Sequence, residues 1–423
     1  MKRYMALLWL ALFLVLGSPA TTALAHAGLI GSSPKDGELL KDNPGQISLH
    51  FTETLEPDLV DIRLYDWNGE EVRLNRPALQ PGDASVVRAE LPDLQEGTYV
   101  AIVSVVSEDG HPVEERVTFS IGQKSASVAD PTQPKTDNRY LLVYRYLTQG
   151  LILLGGGLYL LARQGARSGL PDFSRLLGIG RQIGWGLMLV GLVFLWFLYD
   201  ESLPAVSLTD ALWQGNGDIL KQSSFAVMLL VSLGLLLLLA IPNMVTGWYL
   251  FCWGALVGTQ AFGGHAWGIS PVWLSLLLRL LHVMTVSLWM GALVYLLLAY
   301  RHMEQDKAAF RAFFLKAVTG ASLLAVLTGL VMLFVQTDAQ SIWQSSLLWS
   351  KLLFGKVLLV CAMLLLAYLQ RKRWRKGEAL RVRLLRWEII LGLLALLAGI
   401  WMSQTSYPTA GTTDTHVAIH DRH

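Results

Sequence analysis

Three residues of this 423-residue chain have the types and spacing to hold a metal ion: His26, Asp109 and His111. Residues 1–25 have the form of a secretory signal, with Lys2 and Arg3, an apolar run over residues 6–16, and Ala23-Leu24-Ala25 as a small-residue cleavage site. Cleavage after Ala25 leaves His26 as the new N-terminus. An N-terminal histidine offers its α-amine and its imidazole together, and neutral nitrogen ligands suit Cu(II) in square or tetragonal geometry. Asp109 and His111 stand at i and i+2, positions whose side chains point to the same side of an extended chain. The two are therefore expected to converge on the same ion. The cut creates the site and places it outside the cytoplasm.

The elements that must position these residues fall into two halves. The chain is 53% hydrophobic with a mean hydropathy of +0.44, too apolar for an ordinary soluble protein. The apolar residues concentrate in residues 140–402, whereas residues 26–122 read as a soluble domain and residues 123–139, with Pro131 and Pro134, as a linker. Residues 46–51 alternate apolar and polar, as a half-buried strand does, and residues 60–65 repeat the pattern. Asn68-Gly69 is a hairpin turn signal. Residues 86–91, 97–106 and 115–121 are further strands, and this spacing predicts a β-sandwich or barrel. Both cysteines, Cys252 and Cys361, lie in the apolar half, so the β-domain must hold through its core.

Eight segments are long and apolar enough to suggest membrane spans: 140–162, 182–199, 222–241, 244–262, 272–300, 314–335, 350–370 and 386–402. Arg163, Arg167, Arg175 and Arg181 lie between the first two, Arg301, Lys307 and Arg311 between the fifth and sixth, and a basic run from Arg371 to Arg386 between the last two. The positive-inside rule puts these loops in the cytoplasm. The β-domain and the polar tail 403–423 then lie outside, on a bacterial cytoplasmic membrane. His265 belongs to the outer loop before the fifth span. His282 lies ten residues into that span, about 15 Å deep, and an ionisable residue at that depth is a functional candidate. Both are expected to handle metal. Lys356 is a second deep charge. His416, His420 and His423 of the tail are spaced to capture metal weakly on a helix, the alternative being that they belong to a disordered end, which is the favoured reading.

The motifs His26-Ala27, Ser33-Pro34-x-Asp36-Gly37, residues 49–53, Gly97-Thr98-Tyr99 and the run from Val106 to Pro112 resemble the CopC copper-binding family. That resemblance implies a small Greek-key β-barrel. It also implies Cu(II) bound by His26, Asp109 and His111, with the acidic Glu53 close to the metal. Relatives with a second, Cu(I) site carry methionines for it. Residues 26–138 contain no Met, so soft thioether ligands are absent from this domain. Gly263-Gly264-His265-Ala266, His282 with Trp289-Met290-Gly291-Ala292, Lys356 and Arg371 resemble the CopD family of membrane copper-resistance proteins. Where that pattern often has an acidic residue three before the helix histidine, this chain has Arg279.

The expectation is a multidomain chain: an all-β, CopC-like domain followed by an all-α polytopic membrane domain of eight helices. Its function is expected to be copper transport, with Cu(II) captured outside and copper of either oxidation state passed through the membrane domain, inward. The partners expected are the copper ion, the lipid bilayer and an extracytoplasmic copper donor or reductase, with no nucleic acid. No ATP-binding motif is present, and the membrane potential supplies about 2.3 kcal/mol per 100 mV for each charge moved inward. Two other readings compete. One is a membrane-tethered copper buffer or sensor that confers resistance. The other is a histidine-brace oxidase, disfavoured because Asp109 and Glu53 would fill the positions oxygen needs. No enzymatic activity is expected.

Overall fold

The computed structural model describes residues 28–107, 112–125, 127–129, 139–167, 178–203, 207–241, 244–263, 267, 271–299, 307–337, 342, 348–376, 378 and 380–403. Nine strands form the N-terminal part: β1 (Leu29–Ser33), β2 (Glu38–Leu40), β3 (Gln46–Phe51), β4 (Leu55–Tyr65), β5 (Glu71–Val72), β6 (Ala78–Gln80), β7 (Asp83–Glu90), β8 (Gly97–Ser107) and β9 (Pro112–Ile121). They make two sheets, ordered β1-β3-β7-β6 and β2-β9-β8-β4-β5, antiparallel except for the parallel pair β2–β9. The alternation read in residues 46–51 is the inward face of β3, where Ile47, Leu49 and Phe51 are buried. They meet Val60, Ile62 and Leu64 of β4 and Ala101, Val103 and Val105 of β8 in one core. Burying each such large side chain contributes roughly 1.5–3 kcal/mol. The Asn68-Gly69 turn closes β4 onto β5 as expected: the Asp66 carboxylate accepts from the Asn68 and Glu70 amides at 2.8 and 2.9 Å, and Gly69 takes φ +83°.

β4 begins five residues before the alternation does, at Leu55 rather than Val60. Leu55 pairs with Ser107 and Val60 with Val105, so residues 56–59 bulge out of the ladder. A bulge breaks the period of two, which is why only the later half read as a strand.

Asp61, just past the bulge, points to the outer face of the second sheet. Burial pushes its carboxyl above the usual range, against the opposing pull of Arg63 at 3.3 Å. Folding therefore favours the protonated acid, and stability falls as pH rises from the ordinary carboxylate range through the raised value. Urea unfolding of the isolated β-domain should show this fall, and Asp61→Asn should remove that part of it. At about pH 3, where aspartates are largely protonated, the two should unfold alike. Identical pH profiles would rule the effect out.

Ten helices follow among the described residues: α1 (Arg139–Arg167), α2 (Gly178–Glu201), α3 (Leu208–Trp213), α4 (Gly217–Gln222), α5 (Ser224–Leu238), α6 (Thr246–Thr259), α7 (Val272–Ala299), α8 (Lys307–Gln336), α9 (Leu348–Arg375) and α10 (Val382–Met402). Six of them, α1, α2 and α7–α10, are long and apolar enough to cross a membrane. The third and fourth expected spans are helices too, but of 15 and 14 residues. At 1.5 Å per residue these reach about 21–23 Å, short of the ~30 Å hydrocarbon layer. They pack on each other as a short hairpin, α5 also against α2 and α6 also against α1 and α7.

α1 sits at the centre, against α2, α6, α7 and α10. It crosses α7 with backbones touching. A Cβ placed on Gly157 would meet the Ser287 carbonyl, and one on Gly291 would meet the Gly157 backbone. Small residues let membrane helices approach in this way, and the Ser287 hydroxyl bonds to the Leu153 carbonyl at 2.5 Å beside the crossing.

Candidate metal centres

His26, Asp109, His111 and His265 lie outside the described residues. The elements that flank the first three share one end of the sandwich. Gly28 and Thr52 are tied by reciprocal bonds: the Gly28 amide donates to the Thr52 hydroxyl and the Thr52 amide donates to the Gly28 carbonyl, both at 2.9 Å. Glu53, half-buried, follows Thr52 in the β3–β4 turn. Leu55, which ends that turn, pairs with Ser107, the last residue of β8, and Pro112 opens β9 opposite Val106. The described residue nearest His26 in sequence is thus fixed beside the Glu53 turn. Both described ends of the 108–111 segment lie on the strands that continue it.

The bulge of β4 carries a contact to the helical half. The Asp58 amide donates to Gln222 Oε1 at 3.1 Å, and Gln222 Nε2 donates to the Asp58 carboxylate at 2.5 Å. Arg76 holds the other carboxylate oxygen at 3.1 Å. Gln222 ends α4, on the connection between α2 and α5, which the charge pattern predicts to lie outside. The contact has no signature in the sequence, since Asp58 and Gln222 are 164 positions apart and neither stands in a motif.

His282, half-buried on α7, faces α8. Its Nδ1 lies 3.1 Å from both the Ala325 carbonyl and the Thr328 hydroxyl. A carbonyl only accepts, so Nδ1 carries the proton in the neutral ring and Nε2 keeps the lone pair, the arrangement of a ring oriented to bind through Nε2. Gly329 leaves room for the imidazole: a Cβ there would stand 3.2 Å from His282 Cε1. The neighbouring charges are cationic. Lys356 and Arg279 lie within electrostatic reach of the ring, and Arg279 is engaged by the Gly263 carbonyl at 2.6 Å. Arg279 thus has a carbonyl partner at the end of the α6 hairpin. Among the described residues no three His, Cys, Asp or Glu side chains gather as a metal would need.

Arg145 is a further residue that stands in no motif of the sequence. It is fully buried in α1, its guanidinium 3.5 Å from the centroid of the Phe225 ring on α5. Phe225 in turn packs edge-on against Tyr199, whose hydroxyl bonds to Ser223 at 2.8 Å. The available signal was a lone arginine five positions past the start of the apolar segment 140–162.

Residues 29–122 match the family model described as the CopC domain. Copper transport protein CutJ of Bacillus subtilis (strain 168) is 25% identical over 431 aligned residues, covering 95% of this chain and 78% of that protein. Copper resistance protein C of Xanthomonas campestris pv. juglandis is 33% identical over 109 residues, covering 24% of this chain and 84% of that protein. Among solved structures, CopC from Methylosinus trichosporium OB3b is 26% identical and covers 25% of this chain and all of its own, with a TM-score of 0.22. The copper resistance protein PcoC from Escherichia coli, in its selenomethionine form, is 24% identical and covers 22% of this chain and 98% of its own, with a TM-score of 0.21.

Proposed function

Because the chain belongs to the CopC family, in the form that fuses the copper-binding domain to a multispan CopD-type region, we propose that it captures Cu(II) outside the cytoplasmic membrane and passes copper inward. Capture rests on the mature N-terminus at His26, with Asp109 and His111 completing the ligand set and Glu53 beside it. The observation that carries this reading is the pairing of Gly28 with Thr52, which anchors the start of the domain next to Glu53 and to the strands that lead to residues 108–111. The Asp58–Gln222 contact supports an outer position for the domain, on the side where the charge pattern places the α2–α5 connection. The relatives' names are those of copper transport and resistance proteins.

In this reading His282, held by α8, handles copper within the membrane and His265 lies on its approach from the outside. A second reading draws on Lys356 and Arg279 beside His282, which disfavour another cation there: the protein then buffers copper outside and transports none. Copper accumulation in cells or proteoliposomes separates the two. Under the transport reading, His26→Ala and His111→Ala should lower accumulation at limiting copper by well over tenfold, since altering even an outer-shell partner of a metal ligand costs roughly 10–100-fold. His282→Ala should lower it at every copper concentration. Accumulation by His282→Ala equal to wild type at all concentrations would remove His282 from the route.

A further inference from the structure

The helical region holds a second set of side chains suited to copper, away from His282. Met290 on α7 and Met363 on α9 are both buried. They meet over Gly392 of α10. A Cβ placed there would contact Met290 Sδ and would stand 2.9 Å from the terminal methyl carbons of both methionines. Two thioethers from two helices thus share one spot, and the missing side chain at Gly392 is what leaves them room.

Glu388 precedes Gly392 by four residues, one helical turn along the same face of α10. It is 2% exposed, and its Oε1 is buried with no hydrogen-bond partner among the described residues. A buried carboxylate oxygen without a donor is costly unless a cation compensates it. Thioethers are soft, neutral ligands that select Cu(I), and a cation held by neutral sulfur alone in an apolar bundle lacks a counter-charge. Each half of the arrangement supplies what the other lacks. Met290 also stands eight residues beyond His282 on α7, about 12 Å further along the helix.

We propose that Met290 and Met363, closed over Gly392 with the Glu388 carboxylate one turn away, bind Cu(I) inside the helical region. The proposal rests on copper being the cargo, and its test is separable from capture at the N-terminal domain. Full-length protein in detergent, with Cys252 and Cys361 changed to serine, would be loaded with Cu(I) as its acetonitrile complex against a competing Cu(I) chelator. X-ray absorption should then find sulfur in the copper shell. No methionine lies in residues 26–138, so that sulfur comes from outside the β-domain.

Met290→Leu with Met363→Leu keeps side-chain volume close to native. This double variant should lose one Cu(I) equivalent and the sulfur signal. Glu388→Gln should weaken Cu(I) binding about tenfold or more. Gly392→Ala should do the same with every ligand retained, because its Cβ enters the shared spot; these two variants decide the matter if the double variant does not fold. Cu(II) binding by the N-terminal domain should be unchanged in all of them. Unaltered Cu(I) stoichiometry and affinity in the folded variants, or a shell of nitrogen and oxygen alone, would overturn the proposal. Loss of Cu(II) binding in His26→Ala with Cu(I) binding intact would leave it standing.

Discussion

Gly157→Leu is expected to prevent the helical region from assembling while leaving the β-domain folded. At this position α1 and α7 have no space between their backbones, for a Cβ on Gly157 would already meet the Ser287 carbonyl. An overpacked side-chain core can shift rotamers at a cost of about 1–3 kcal/mol. Here the obstacle is backbone, so the helices themselves must separate, and the Ser287–Leu153 bond beside the crossing breaks with them. Because α1 also packs against α2, α6 and α10, separation at this crossing reaches both sides of the bundle. Gly291→Leu should fail in the same way from the other helix, since a Cβ there meets the Gly157 backbone. Gly184→Leu, in α2 with open space around it, is the control and should be tolerated. Size-exclusion profiles of the extracted proteins read the outcome: aggregation or loss of the two crossing variants, a wild-type peak for the control. The β-domain has its own core, so its Cu(II) binding should survive in all three. A monodisperse, thermally stable Gly157→Leu protein would show that the crossing is not needed.

The glycines of this crossing were visible in the sequence as Gly155-Gly156-Gly157 and Gly291, but their partner was not, since no local pattern says which helix meets which. The same limit runs through the chain. The inward face of β3 and the Asn68-Gly69 hairpin are legible because their signals are local: a period of two and a turn-forming pair. β1 is not, because it is a mostly exposed edge strand whose LIGSS carries no alternation. The β4 bulge hid Asp58, the residue that reaches Gln222. The apolar runs at 222–241 and 244–262 read as spans by composition, yet their helices stop at Leu238 and Thr259, and hydropathy counts apolar residues rather than helical ones. Among the candidate site residues, His26, Asp109, His111, Glu53, His265 and His282 are legible from the cleavage site, spacing, motif and depth. Three-dimensional packing was needed for what surrounds them. The partners of His282 stand 43 and 46 positions away on α8, and nothing in the sequence pairs Met290 with Met363 until Gly392 brings them together.

Extending the mature N-terminus by a single alanine ahead of His26 is expected to cost about a hundredfold or more in Cu(II) affinity. The extension leaves every side chain in place and removes one thing, the α-amine of His26, which becomes an amide that no longer offers a lone pair. Altering even an outer-shell partner of a metal ligand costs roughly 10–100-fold, and here a direct nitrogen ligand is lost together with the chelate it forms with the imidazole. The Gly28–Thr52 pair begins two residues further on, so the β-domain should keep its fold and its unfolding midpoint. His26→Ala, which keeps the amine and removes the imidazole, should lose comparable affinity by the complementary route. The two variants should differ spectroscopically, each lacking a different nitrogen in the Cu(II) electron paramagnetic resonance signal. The same dependence makes signal cleavage a condition for binding: mass spectrometry of the membrane-inserted protein should find a mature chain that starts at His26. Equal Cu(II) affinity with and without the added alanine would move the site off the N-terminus and leave Asp109, His111 and Glu53 to bind without it.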